Sequence, residues 1–215
     1  MIEKLSVTPQ QLFFLGSILN AKYIDFSYIS ALGIVDENVK LLESEIKADL
    51  SSKGILKENF SGDVDLDSNA KELLLPLFEC EHEITIDVIT SGDRTSVESY
   101  KYHFLKEKVT RVYCNDGCFD ICESTFENVI DRIKGILPIG YSADSESVDN
   151  TAEFIVDRLI AIKTIVLGKC SSVINFIDSA GVLYLEDVDK KSKLSSEEYM
   201  NICLSAIQEV KNDLS

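Results

Sequence analysis

Glu83–Cys122 reads EITIDVITSGDRTSVESYKYHFLKEKVTRVYCNDGCFDIC. Ile84, Ile86 and Val88 alternate with Glu83, Thr85 and Asp87, the period of a half-buried strand. Ser91-Gly92-Asp93-Arg94-Thr95-Ser96 interrupts that run with loop-forming residues. Val97–Glu107 then returns as a strand, with Tyr100, Tyr102 and Phe104 on one face. Val109–Cys114 and Cys118–Cys122 flank Asp116-Gly117, and Asp-Gly is a strong two-residue hairpin signal because a type I′ turn needs positive φ at both central positions. The segment therefore reads as an antiparallel meander of about four strands.

Working toward the N-terminus, Asp67 or Ser68 caps a helix that runs through Phe78. The polar turn Asn59–Asp63 precedes it. A helix over 36–52, capped by Asp36, carries Val39, Leu42, Ile46 and Leu50 at helical spacing, with Gly54 placed to end it. Thr8 caps the first helix, with Pro9 at its first position and Leu12, Leu15, Ile18 and Leu19 as its stripe. Tyr23–Ile34 is apolar and has no assigned element.

Working toward the C-terminus, Ser124 or Thr125 caps a helix with Phe126, Val129, Ile130 and Ile133 inward. Residues 138–147, from Pro138 through the polar run Ser142–Ser147, are the best internal boundary. A helix carrying Val148, Ala152, Ile155, Val156 and Leu159 follows. Strands come next at Thr164–Lys169, Val173–Asp178 and Val182–Val188, with a turn at Ser179-Ala180-Gly181. Lys190–Lys193 reads as a loop. Ser195 or Ser196 caps a last helix bearing Tyr199, Ile202, Cys203, Ala206, Ile207, Val210 and Leu214. Consecutive strands without βα alternation favour an α+β fold with an antiparallel sheet. The chain is read as a single domain, 1–215, with two loosely similar halves. The stripes place Leu42, Ile46, Ile84, Ile86, Tyr102, Phe104, Ile121, Ile130, Ile155, Leu159, Phe176, Ile202 and Ile207 in the core.

The chain has 215 residues, 45% of them hydrophobic, and a formal charge of −16. That is a globular composition. The charge argues against a nucleic-acid partner, which needs a basic face. Leu41–Phe78 has a winged-helix outline, but the acids of its first helix would repel phosphate. No signal-peptide pattern opens the chain, and no apolar run approaches the roughly 20 residues that span a bilayer. A cytoplasmic protein with no membrane partner is expected.

Motifs for chemistry are scarce. Phosphate-cradling glycine loops, GxSxG and HExxH are all missing. Reduced cysteines are expected in such a chain. Cys80, Cys170 and Cys203 lie in apolar runs and read as core residues. Cys114, Cys118 and Cys122 read as buried or half-buried strand residues. Cys118 and Cys122 would lie about 13 Å apart along one strand, too far to share a zinc ion. His82 reads as exposed in an acidic turn and His103 as a strand-surface residue. Asp63-Val64-Asp65-Leu66-Asp67 lacks the rest of a calcium loop and reads as a solvated turn capping a helix. No cofactor or metal is expected, and no pair of carboxylates stands out as catalytic.

The stretch LLESEIKADLSSKGILKENFSGDVDLDSNAKELLLPLFECEHEITIDV, Leu41–Val88, resembles the EspG-type chaperones of type VII (ESX) secretion. The matching features are Leu50, Gly54-Ile55, Gly62, Leu73-Leu74-Leu77 and the strand Ile84–Ile89. Leu5–Leu19 is similar to that family's first helix. The Asp178–Gly181 hairpin within Ile174–Asp187 and the closing helix Ser195–Leu214 also fit. The chain departs from the pattern at Val182, where an arginine is frequent, and at Glu81-His82, where Pro-Asp is usual. The resemblance implies a member or a divergent relative with the same fold: a central antiparallel sheet flanked by helical bundles. It further implies a non-enzymatic cytoplasmic chaperone that binds a secreted helical-hairpin protein. The substrate-contacting loop would correspond to Ser91, Gly92, Asp93, Arg94, Thr95, Ser96 and Val97. Two other readings accompany it: an antitoxin or immunity-type protein that occludes a toxin with its acidic surface, and an enzyme with an unrecognised carboxylate site.

Overall fold

The computed structural model describes residues 4–32, 39–58, 64–92, 95–115, 117–137, 155–187 and 190–214. The chain opens with β1 (Lys4–Val7), in which Leu5 and Val7 are buried and Lys4 and Ser6 exposed. Helices α1 (Pro9–Ile18), α2 (Phe26–Ser30) and α3 (Val39–Ser52) follow. A small antiparallel pair, β2 (Leu56–Glu58) and β3 (Val64–Leu66), leads into α4 (Ser68–Glu79). The meander is β4 (His82–Thr90), β5 (Ser96–Leu105), β6 (Lys108–Asn115) and β7 (Cys118–Ser124). Then come α5 (Phe126–Ile136), β8 (Arg158–Val166), β9 (Lys169–Ser179), β10 (Val182–Asp187), β11 (Lys190–Lys193) and α6 (Ser196–Asp213). Nine strands form one sheet in the order β1-β7-β6-β5-β4-β8-β9-β10-β11. The fold is mixed α+β with an antiparallel sheet.

The residues cluster into two compact units, 1–80 with 103–123 and 81–102 with 124–215. In the first unit, Thr8 and Gln11 cap α1 reciprocally: Gln11 N donates to Thr8 Oγ1 at 3.2 Å and Thr8 N donates to Gln11 Oε1 at 2.9 Å. Such a box satisfies amides that the first turn would otherwise leave open. The same glutamine donates from Nε2 to Asp49 Oδ2 of α3 at 2.5 Å, so the cap also ties two helices together. Helix α3 ends where Gly54 takes φ +70°. There Gly54 N donates to Ser51 O and Ile55 N to Leu50 O, at 2.9 and 3.0 Å. This is a Schellman ending, and glycine adopts its left-handed residue without a Cβ penalty. Asp67 caps α4 through the amides of Asn69 and Ala70. The buried Thr110 hydroxyl of β6 donates to Leu73 O at 2.9 Å and pins α4 to the strand. The core gathers Leu12 and Leu15 of α1, Leu50 of α3, Leu74 of α4 and Ile121 of β7, all at most 1% exposed. Each such burial contributes roughly 1.5–3 kcal/mol.

In the second unit, Ile86 pairs with Ile162, Val88 with Ile160, and Ile160 in turn with Phe176. These residues are buried. Helices α5 and α6 pack together, and Tyr199 of α6 donates its hydroxyl to Ile133 O at 3.3 Å. The Tyr199 ring meets Phe176 edge-on, with centroids 4.8 Å apart. Opposite Ile84 and Ile86, Glu83 and Thr85 are buried too. Glu83 accepts from Lys101 Nζ at 3.2 Å and from Thr85 Oγ1 at 2.7 Å. Asp87 accepts from Lys163 Nζ and Ser99 Oγ, both at 2.6 Å.

Several expectations are corrected. Arg158–Val166 is a strand, so the helix expected to include Leu159 does not extend there. Its two faces, Leu159 and Ala161 against Ile160 and Ile162, are both apolar, and a strand lined on both sides loses its alternation. Ile155 is 75% exposed rather than core. Leu42, Ile130, Leu159 and Ile202 are half-buried. Lys190–Lys193 pairs with Tyr184–Asp187 as a strand. Tyr23–Ile34 contains α2, capped by Asp25. Asp36, Asn59–Asp63 and the 138–147 boundary lie outside the described residues.

Candidate partner-binding surface

At one end of the second unit's sheet, Thr90, Arg158 and Asp178 lie in register across β4, β8 and β9. The chain leaving β4 is tied there, because Ser91 N donates to Asp157 O at 2.8 Å. Asp157 N in turn donates to Asp178 O at 2.9 Å. Two carboxylates then hold the turn between β9 and β10. Ala180 N donates to Asp157 Oδ2 at 2.6 Å, and Gly181 N donates to Asp178 Oδ1 at 3.2 Å. Both turn residues have positive φ, +52° and +77°, the requirement of a tight I′-type connection. Asp178 is 4% exposed and needs a partner. Arg158 supplies it, donating from Nε and Nη2 to Oδ2 at 2.8 and 2.6 Å.

On this fixed frame Ser91, Gly92, Thr95, Ser96 and Val97 are exposed. Asp93 and Arg94 lie outside the described residues. Val97 is 64% exposed. Ile155, two residues before Asp157, is also bare. Beside Val97, Glu98 accepts from Arg132 Nη2 at 2.8 Å and from the Tyr100 hydroxyl at 3.2 Å. The Arg132 guanidinium lies 3.8 Å from the Tyr100 ring centroid. Tyrosine and arginine held in place beside exposed aliphatic side chains are the composition of a protein-binding surface. Asp157 and Asp178 converge, but on backbone amides and an arginine, which positions a turn rather than sharing a proton.

The ring of Asp157, Arg158 and Asp178 did not stand out in the sequence. Asp157-Arg158 falls in a stretch with helical spacing, and the Asp178…Gly181 hairpin is the local signal the sequence carries. The two histidines are also corrected. His82 is 7% exposed and His103 is 0% exposed. In the first unit His103 sits between the Tyr28 hydroxyl, 2.7 Å from Nε2, and Cys80 Sγ, 3.4 Å from Nδ1. A tyrosine, a histidine and a thiol are thereby hydrogen-bonded to one another in the interior, where buried polar groups need partners. Cys80 and Cys203 are buried and Cys118 and Cys122 half-buried, as expected, whereas Cys114 and Cys170 are exposed. Among the described residues no three His, Cys, Asp or Glu side chains cluster as metal ligands. No helix among them is long and apolar enough to cross a membrane.

The sequence matches no protein-family profile and no curated protein. The fold does have a solved counterpart. It is similar, at a TM-score of 0.60 and 7% identity, to the type VII secretion system chaperone EspG5 of Mycobacterium tuberculosis, determined in complex with the PE25–PPE41 dimer. The similarity covers 95% of this chain and 94% of that one, so the two share a fold from end to end.

Proposed function

We propose that this chain is a non-enzymatic binding protein, a cytoplasmic chaperone for a helical protein exported by a type VII secretion system. The observation that carries this reading is the end-to-end fold similarity to EspG5, at 95% and 94% coverage. Leu41–Val88 and the Asp178–Gly181 hairpin support it from the sequence side. On this reading Ser91–Val97 contacts the substrate. Ser91 fixes the start of the loop to the sheet, and Val97 and Ile155 supply apolar contact beside the Glu98–Tyr100–Arg132 cluster. The tether at Ser91 and the Glu98–Tyr100–Arg132 cluster are in place before binding, which limits the conformational entropy lost at those residues. The charge of −16 keeps the protein soluble and speeds encounter with a basic surface.

The test is co-expression with the small helical proteins encoded beside type VII secretion genes in the same host, followed by size-exclusion chromatography. A stable complex that Val97→Asp disrupts, with the variant's own thermal stability intact, is the expected result. Absence of co-elution with every such protein would overturn the chaperone reading. Co-elution that Val97→Asp leaves unchanged would remove this loop from the interface.

A further inference from the structure

We propose that the turn between β9 and β10 is a second contact element for the exported partner, and that Asp157 is the positioning residue that holds it beside the loop after β4; this rests on the chaperone reading above. One residue joins the three segments. Asp157 O accepts from Ser91 N at 2.8 Å, Asp157 N donates to Asp178 O at 2.9 Å, and Asp157 Oδ2 accepts from Ala180 N at 2.6 Å. The chain leaving β4, the entry to β8 and the turn after β9 therefore meet at Asp157. Only the third bond uses its side chain. Loss of the carboxylate frees the turn and leaves the two backbone bonds possible.

The residue at the tip of the turn is an independent observation. Ala180 takes φ +52° and is exposed. A two-residue turn with positive φ favours asparagine or glycine there, and alanine carries a Cβ penalty. An exposed methyl gains no burial within the chain to offset that strain. Strained backbone persists where the surroundings over-determine it, and it gathers at binding sites. Here Asp157 and Asp178 each accept an amide of the turn, and Arg158 clamps Asp178 from the other side.

Alanine supplies what asparagine does not, an apolar tip. Val97 and Ile155 are 64% and 75% exposed, and Ala180 adds a third aliphatic group at the same end of the sheet. Held in place before the partner arrives, the turn loses little freedom when it is covered.

The test uses the partner that co-elutes with the full chain. Affinity is read by biolayer interferometry and stability by thermal melting. Ala180→Asn should raise the melting temperature, because asparagine suits the turn. The same variant should weaken binding at least about fivefold, because its amide loses water in an apolar contact. A merely structural turn would show the first effect without the second. Asp157→Ala should also weaken binding at least about fivefold and speed amide exchange at Ala180, and Asp157→Asn, whose side-chain oxygen accepts the same bond, should restore both. Thr8→Ala removes the cap of α1 in the first unit, destabilises the chain to a similar degree and should leave the affinity unchanged. Wild-type affinity in Ala180→Asn or in Asp157→Ala would overturn the proposal, as would a loss in Asp157→Ala that Thr8→Ala reproduces. If Val97→Asp still disrupts the complex in that case, the chaperone reading stands without it. Absence of any complex would overturn both.

Discussion

The six cysteines differ by burial, and their chemistry follows. Burial pushes the Cys203 thiol up to about 12, so at neutral pH it stays protonated and cannot act as a nucleophile. Cys114 and Cys170 are open to solvent. Under native conditions iodoacetamide should modify Cys114 and Cys170 first, Cys118 and Cys122 more slowly, and Cys80 and Cys203 only after unfolding. A mass-spectrometric time course reads this directly, and early labelling of Cys203 would contradict its placement. Asp178 offers a second residue-level test. Asp178→Ala leaves Arg158 without its carboxylate and Gly181 N–H without an acceptor, and should cost roughly 3 kcal/mol in urea unfolding. Asp157→Ala removes one exposed acceptor and should cost about 1 kcal/mol. Equal losses would mean that burial does not separate the two carboxylates. The residue types at this sheet end were visible in the sequence. Their convergence was not, because register between β8 and β9 is a tertiary fact.

Elements were legible where local chemistry announces them. Thr8-Pro9, Asp67 and Ser195 mark helix starts and are found as caps. Gly54 and the Asp-Gly hairpin mark chain reversals, and Gly54 and Gly117 have φ of +70° and +77°. What stayed illegible was set by partners distant in sequence. β1 is only four residues long and exists because Lys4–Val7 lies against Phe119–Cys122. The turn between β8 and β9 places Leu167 at φ +49°, a position where sequence habits expect asparagine or glycine. Ion pairs within and between elements carry a pH signature as well. Lys53, with help from Gln11, holds the Asp49 carboxyl below the usual carboxylate range, and Lys4 with Ser6 does the same for Asp120. A carboxylate with a lowered folded pKa contributes stability that is fully present above the unfolded value near 3.9 and is lost as pH falls through the folded value. Urea midpoints should therefore stay nearly flat for these two groups from pH 7 to 5 and drop below about pH 4. Asp49→Asn should shrink the drop. A loss centred near pH 6 would place the acid sensitivity in groups other than these two carboxylates.

At the scale of the whole chain, 37 acids face 21 bases, and the ion pairs do not remove that imbalance. Two opposing effects compete when salt is added. Self-repulsion at −16 destabilises the compact state, and screening relieves it over a Debye length of about 8 Å at physiological ionic strength. The same salt weakens exposed pairs such as Lys47–Glu43 and Lys108–Glu72, each with both side chains at least 43% exposed. Exposed pairs contribute only about 0–1 kcal/mol apiece and lose part of that. The better-buried pairs, Lys101–Glu83 at 14% and 2% and Arg158–Asp178 at 25% and 6%, are screened least. Relief of repulsion should therefore win, and the melting temperature should rise by a few degrees between low salt and about 0.3 M sodium chloride. Partner binding should move the other way, because steering by a negative surface fades as salt rises. Differential scanning fluorimetry along a salt series, set beside association rates for a captured partner, separates the two trends. A melting temperature that falls with salt would show that local pairs, rather than net charge, dominate the electrostatics of this fold.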